Sequence, residues 1–364
     1  MNILFLTPRN SEKNLGGVEG HVRLLTKELK RRGHKIKELS LDEVCELHKG
    51  SFLGSLGYKF RAWKYLWKSR NLFRWTDILH IHDVFWWIMP LLPMIWINKF
   101  NGRQSCHTAR KHFIFVTFHG WEGVCPPSRS EVWQKKAASF LSDGTVGVGS
   151  FFKKWYEITT NKIVYGVLED KWINRQIYKS TNKRISISTI VFLGRLEEVN
   201  GVEVVLEALN KLVSRQIYKY TNRQIHKLQW GFPRIVFVGE GSYRKQAEKL
   251  GRVTGMIKNP QKYLINADVV ITSSYMSILE AAAMGKPVIS VANSELKEDY
   301  LNCHPLREWI KVVKNTEELT NAIREVQEGT KKYKKRQKCL NKTRAWVIKQ
   351  TTERLADVYE EVWG

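Results

Sequence analysis

An α/β fold of two successive doubly wound parallel sheets is predicted by three observations. Strand-like and helix-like stretches alternate from the first residues, the alternation starts afresh near Ile187, and polar or Gly-rich loops follow several of the strand-like stretches. The 364 residues, 43% hydrophobic and 12% aromatic, suffice for a large core and for two domains.

The first series runs NILFLT, a helix through VRLLTKELKRRGH, then KIKELSL, DILHIH, FIFVTFHG and GTVGVG. The second runs ISTIVFLGR, a helix through VEVVLEALNKLV, RIVFVGEG, a helix through YRKQAEKLG, and then INADVVITSSYMSILEAAAMGKPVIS. In that last stretch ADVVIT reads as strand and LEAAAM favours helix, with Gly285 as its stop and KPVIS as the next buried strand. Glu280 is thereby expected in the first turn of a helix, after a Ser-rich loop at the carboxyl end of a strand. Open α/β sheets bind ligands at that edge. The join between the series is expected around Tyr165 to Trp172, giving domains 1–166 and 167–345, with 346–364 as a C-terminal helix returning to the first domain. The segment from Thr330 reads as one long basic helical stretch.

Lys and Arg number 60 against 35 Asp and Glu, a formal charge of +25. Such a chain seeks anions, whether nucleic acid, acidic lipid or phosphorylated small molecules; a solvated basic surface serving solubility is the plain alternative. Five cysteines without CxxC spacing point to reduced thiols in a cytoplasmic protein, not to a metal site or a disulfide framework. MNILFLTP lacks a basic lead and a small-residue cleavage site, so it reads as a core strand and not as a signal peptide. VFWWIMPLLPMIWI, residues 84–97, is too short to span a bilayer and carries two prolines, which fits a buried helix. Gly57 to Trp75 mixes aromatics with Lys and Arg as interfacial segments do, so peripheral contact with an anionic membrane is expected. The motif RQIYK occurs at 175–179 and 215–219, with RQIHK at 223–227; the copies read as loop insertions at the amino edge of the second sheet, or as a basic docking patch.

Four loops fall after strand-like stretches: NLGGVEGH, FHGWEG, FLGRLEEVNG and the Ser-rich loop. Gly16 and Gly17 let backbone approach an anion at a helix start, and Arg195 offers a charge-assisted fork for a diphosphate. With GGVEGHVRLLTKELKRRGHKI, DILHIHD, FVGEGSYRKQAEKLG and ITSSYMSILEAAAMGKPVIS, these motifs make the chain resemble the retaining glycosyltransferases of family 4. The resemblance spans nearly the whole chain.

It implies the GT-B fold, two Rossmann-like domains facing a central cleft, and transfer of a hexose from a UDP- or GDP-linked donor to a glycan or lipid-linked acceptor. By the resemblance Gly17, with Gly16 beside it, approaches the donor or acceptor, His119 lies beside the transferred sugar, and Arg195 binds the diphosphate. Glu280 meets the ribose, the loop amides around Ser277 and Ile278 meet phosphate, Ser273 also borders the donor, and Gly255, Met256 and Ile257 border the base. No metal or other cofactor is implied, since no DxD occurs, and no nucleic-acid partner is expected. A satisfied core histidine at 119 and a plain helix-dipole partner at 280 are the alternatives. Two positions depart from the family pattern. Asn200 stands where a lysine usually partners the arginine, and Thr272 stands where a second glutamate usually touches the sugar. Lys286 and Arg23 are the candidates to replace the missing cation; a catalytically weak or inactive binding protein is the alternative function.

Overall fold

The computed structural model describes residues 1–45, 52–83, 113–120, 125–169, 189–221 and 233–364, with residues 93, 123 and 172 singly. The apolar run 84–97, apart from Pro93, and the RQIYK-type copies at 175–179 and 223–227 lie outside the described residues.

Two compact units divide the chain: residues 1–164 with 352–364, and residues 165–351. The first holds a six-stranded sheet in the order β2-β1-β3-β4-β5-β6, and every pairing in it is parallel. Its strands are β1 (Asn2–Thr7), β2 (Lys35–Ser40), β3 (Ile78–His82), β4 (Phe113–Phe118), β5 (Gly144–Val148) and β6 (Lys162–Val164). β1, β3 and β4 read as near-continuous apolar or buried runs because a parallel sheet is covered on both faces. Among the described helices of this unit are α1 (Gly17–Arg31), α2 (Phe52–Lys68), α3 (Arg70–Trp75) and α4 (Arg129–Leu141).

The second unit repeats the plan with β7 (Thr189–Leu193), β8 (Arg234–Val238), β9 (Arg252–Val253), β10 (Val269–Ile271), β11 (Val288–Val291) and β12 (Lys311–Val313). Their order is β12-β11-β10-β7-β8-β9, again all parallel. The chain starts in the middle of this sheet at β7, winds outward through β8 and β9, then crosses to β10 and winds the other way. The topological switch point therefore lies between β7 and β10. α5 (Val202–Thr221), α6 (Arg244–Glu248), α7 (Tyr275–Ala283), α8 (Glu295–Asn302), α9 (Thr316–Gln327) and α10 (Lys331–Ile348) accompany it. Ile190, Phe192, Ile235, Phe237, Val269 and Ile271 from the strands bury against Val202, Val205, Leu209, Leu319 and Ile323 of α5 and α9.

Two sequence expectations are corrected. The RQIYK copy at 215–219 continues the α5 helix instead of forming a loop. The basic stretch after Thr330 is two helices, broken at Lys349–Thr351, where the Gln350 carbonyl accepts the Leu168 amide at 2.7 Å. The second of them, α11 (Thr352–Trp363), belongs to the first unit. It rests on α1 through charge: Arg32 reaches Glu28, Asp357 and Glu360 at 2.6–3.0 Å, and His34 reaches Glu360 at 2.9 Å. The two guanidinium partners Arg31 and Arg32 hold the Glu28 carboxyl below its ordinary range.

Glycines set the spacing of the loops at the carboxyl edge of the second sheet. Gly201 is left-handed (φ 69°), and a Cβ there would lie 2.4 Å from a methyl of Val291. Both the backbone strain and the clash oppose any side chain. Gly201→Ala is expected to lower stability by about 1–3 kcal/mol, read as an earlier urea midpoint with an unchanged slope.

Candidate functional site

In the second unit the loops leaving β7 and β10 flank the switch point, the place where open parallel sheets take their ligands. The loop after β7 carries Arg195, exposed to solvent. It is shaped from within: the Asn200 side-chain amide donates to the Arg195 carbonyl at 2.9 Å, and Gly201 closes the short helical turn Glu198–Asn200. From β8, Gly239 and Gly241 press on the same loop. A Cβ at Gly239 would lie 1.8 Å from the Gly194 carbonyl oxygen, and one at Gly241 would lie 2.3 Å from that of Leu196. Glu197 then takes the Ser242 amide and hydroxyl at 2.9 and 2.7 Å. Asn200 thus orders backbone beneath Arg195 and supplies no charge.

The loop after β10 feeds α7. Ser274 is its N-cap in extended backbone, but its hydroxyl donates to the Ser277 hydroxyl at 2.9 Å and caps no amide of the helix. The Tyr275 amide goes to the Tyr300 hydroxyl at 3.0 Å, and the Ile278 amide goes to the Ser274 carbonyl at 2.9 Å. Ile278, wholly buried, therefore has no amide to offer an anion, contrary to expectation. Met276 and Ser277 remain as first-turn amides without an intrahelical acceptor. The Ser273 hydroxyl is likewise spent, bridging the amide and carbonyl of Val291 at 3.0 and 3.1 Å.

Glu280 is half-buried and is the sixth residue of α7, one turn deeper than predicted. At that position it is too far along to cap the helix or to complement its N-terminal dipole. Gly285 stops the helix in left-handed backbone (φ 66°), as its sequence position implied. Thr272 is 1% exposed, so it presents no polar group at the loop surface. Gly255 (φ 73°), Met256 and Ile257 follow β9; Met256 is 39% exposed, and Gly255 lies against the paired Glu240 and Arg244.

The two lysine substitutes expected for position 200 fall differently. Lys286 donates to the Ile265 carbonyl at 2.8 Å, and Arg23, in the first unit, donates to the Ser11 carbonyl at 2.8 Å. Both are engaged with main-chain carbonyls of their own units. The cation that does feel Arg195 is Lys297, buried in the first turn of α8, which sequence reading missed. Its Nζ donates to the Ser273 carbonyl at 2.6 Å and lies 4.6 Å from the centre of the Tyr300 ring.

The first unit holds its candidate residues at the carboxyl ends of β1, β3 and β4. Gly16 is the N-cap of α1 and Gly17 its first, exposed residue. The Glu19 carboxylate lies against Gly16, where a Cβ would sit 2.1 Å from its oxygen, so a carboxylate already complements this helix terminus. His119, just after β4, is met by histidines: its Nε2 is 2.8 Å from His82 Nδ1, and its ring stands edge-on to His21 with centroids 5.0 Å apart. Its amide donates to Asp83 at 2.8 Å, and Asp83 adopts left-handed backbone (φ 62°) to accept it. Burial and the nearby Lys135 charge lower His119 to about 3, so the ring is neutral at physiological pH.

A hydrogen-bond chain behind these rings has a single direction. The Trp363 indole, a donor only, gives to His80 Nδ1 at 3.0 Å, so the His80 proton sits on Nε2 and goes to the Thr117 hydroxyl at 2.7 Å. Thr117 then donates to the Tyr359 hydroxyl at 2.8 Å, and Tyr359 donates to His21 Nε2 at 2.8 Å. α11 in this way fixes the tautomer of His21, leaving its proton on Nδ1. The second pair follows from cost. His82 Nε2 is buried and has no partner among the described residues. An unpaired buried N–H costs more than an unpaired lone pair, so His82 Nδ1 donates and His119 keeps its proton on Nδ1. The alternation in ILHIH, which puts His80 and His82 on one face of β3, was the available signal.

Two outcomes are expected. Burial lowers His21, His80 and His82 well below 6.5. Below about pH 6.5 the unfolded chain takes up protons that the folded rings refuse, so stability should fall as pH drops from 6.5 toward 3, by about 1.4 kcal/mol per unit for each such histidine. Urea titrations across that range check it. Trp363→Phe should remove the donor that orients the chain, and histidine 15N spectra should show His21 and His80 as tautomer mixtures instead of single forms.

Residues 187–328 match the family model described as glycosyl transferases group 1. No curated protein matches the sequence. Among solved structures, a glycosyltransferase from Rickettsia africae ESF-5 is similar at 19% identity and TM-score 0.60, covering 100% of this chain and 98% of that one. Anabaena Alr3699/HepE, solved in complex with UDP, is similar at 14% identity and TM-score 0.58, covering 99% of each chain. The trehalose-6-phosphate synthase OtsA is similar at 13% identity and TM-score 0.63, covering 99% and 98%. Those likenesses show the GT-B fold, and residues 187–328 carry the match to glycosyl transferases group 1.

Proposed function

We propose that the protein is a retaining glycosyltransferase that moves a hexose from a UDP- or GDP-linked donor to a glycan or lipid-linked acceptor. One observation carries the reading: Arg195 and the open first turn of α7 leave neighbouring parallel strands, β7 and β10, at the switch point of the second sheet. A cation beside unoccupied helix amides is suited to a diphosphate. The Anabaena protein solved with UDP supports the same class of ligand.

The roles follow from charge. In transfer, the bond between the glycosyl carbon and the diphosphate oxygen breaks, and the acceptor oxygen bonds to the same face of the sugar. Negative charge accumulates on the leaving diphosphate, so Arg195 and the α7 amides act mostly in the transition state. In this reading they serve in place of a metal. Glu280, in the second turn of α7, takes the ribose hydroxyls, and Gly255 to Ile257 border the base. His119 donates from Nδ1 to a sugar hydroxyl.

A panel of UDP- and GDP-sugars incubated with the purified protein tests the reading, transfer or donor hydrolysis supporting it. Binding without turnover would favour the second reading, a GT-B protein that holds a nucleotide sugar without catalysis; the neutral Asn200 and the inward Thr272 are the observations behind it. Arg195→Ala is expected to lower kcat more than donor affinity. Glu280→Gln should weaken nucleotide binding by about 1.5–3 kcal/mol with little change in Tm. UDP and GDP affinities equal to the parent's would show Glu280 to be structural.

We also propose a cytoplasmic location with reversible docking on an anionic membrane. On α2, Phe60, Arg61, Lys64, Trp67 and Lys68 are all exposed, and 60, 64 and 67 share one face. No described helix is long and apolar enough to cross a membrane. Flotation with vesicles should show binding to anionic lipid and little to neutral lipid; equal recovery with both would contradict electrostatic docking.

A further inference from the structure

Lys297 occupies an expensive position. It is 3% exposed, and it is the third residue of α8, where the helix dipole opposes a cation. Its main-chain amide donates to the Ser294 N-cap hydroxyl at 3.2 Å, so the backbone of this turn is satisfied without the side chain. The Nζ reaches into the other loop of the switch point and takes the Ser273 carbonyl at 2.6 Å. Because the two sides of a trans peptide point opposite ways, this contact turns the Ser274 N–H away from the lysine. Lys297 also stands close enough to Arg195 for the two positive charges to repel. A diphosphate bound beside them would offset that repulsion.

We propose that Lys297 is a second cation of the donor half-site, holding the Ser273 loop in place for the nucleotide diphosphate and adding positive charge beside Arg195. The inference rests on the nucleotide-sugar reading given above.

Desolvation, and secondarily the Arg195 charge, lower Lys297 to about 7. The test window is pH 7 to 9, and Cys303, a free thiol at the end of α8, is present in the parent and the Lys297 variants alike, so their difference isolates the lysine. Burial raises Tyr275 and Tyr300 well above that window, and His304, which packs on Tyr275, is lowered to about 3. Glu298, next along α8, is paired with Lys314 at 2.8 Å, and arginine keeps its charge throughout. In the free protein Lys297 therefore loses its proton as pH rises through 7. A bound diphosphate favours the charged form, so binding takes up a proton and affinity falls as pH rises.

UDP and GDP, titrated by calorimetry from pH 7 to 9, test this. The parent should lose at least about tenfold in affinity across the range, with net proton uptake seen as a dependence of the heat on buffer ionisation. Lys297→Gln retains a donor for the Ser273 carbonyl but no charge. It should bind tenfold or more weakly at pH 7 and show no decline toward pH 9, as should Lys297→Met. A flat profile in the parent, or parent-like affinity in the Gln variant, would make Lys297 a purely structural donor and overturn the proposal. A parent that binds neither nucleotide would instead overturn the site reading itself, and the role of Lys297 with it.

Discussion

Backbone pressed against backbone is the constraint on which the second unit's ligand edge depends. The loops after β7 and β8 approach so closely that Gly239 leaves no room for a carbon between itself and the Gly194 carbonyl, and Gly241 leaves none against Leu196. Arginine is long and flexible, and an exposed one is poorly placed by its own side chain. Here the precision comes from below. The glycines set the height of the loop, Asn200 ties its two ends, and Glu197 pins it to Ser242. Arg195 inherits its position from the packing and hydrogen bonds of the backbone beneath it.

The two units handle buried polarity by opposite means. In the first, a file of aromatic and hydroxyl groups passes one hydrogen bond direction from Trp363 to His21, and burial keeps the rings neutral. Neutral rings with fixed tautomers have directed donors and acceptors, which suits recognition of sugar hydroxyls more than proton transfer. In the second, positive charge is concentrated beside the switch point at the expense of desolvation, which suits an anion that grows more negative during reaction.

Much of the fold was legible in the sequence because parallel strands buried on both faces leave continuous apolar runs, as in NILFLT, FIFVTF and TIVFL. Each of the four loops singled out by composition follows a strand. The helix register was less legible: Tyr275, capped by Ser274, starts α7 in place of a residue nearer Glu280, because the Ser-rich loop is shorter than its composition implied. Individual roles failed where a side chain or amide had a hidden internal use. Ser273 is consumed by Val291, Ile278 by Ser274, and Lys286 by Ile265. Lys297 went unnoticed for the converse reason: in ELKEDY it looks like any solvated helical lysine, and only the tertiary fold reveals it as buried. The His80 and His82 alternation was visible, yet its partners Tyr359 and Trp363 lie some 280 positions away.

That separation has a consequence for synthesis. α11 is made only after the whole of the second unit, yet it supplies the hydroxyl and indole that satisfy Thr117, His21 and His80 in the first. While the chain emerges, the first sheet must wait with polar groups exposed that its finished form seals away. N-terminal domains generally fold as they leave the ribosome, but here the order of events is rearranged. The second unit has every residue it needs before the first does, and the first is completed by a helix made after it, so premature termination just after Thr351 would leave a finished second unit joined to an unsealed partner.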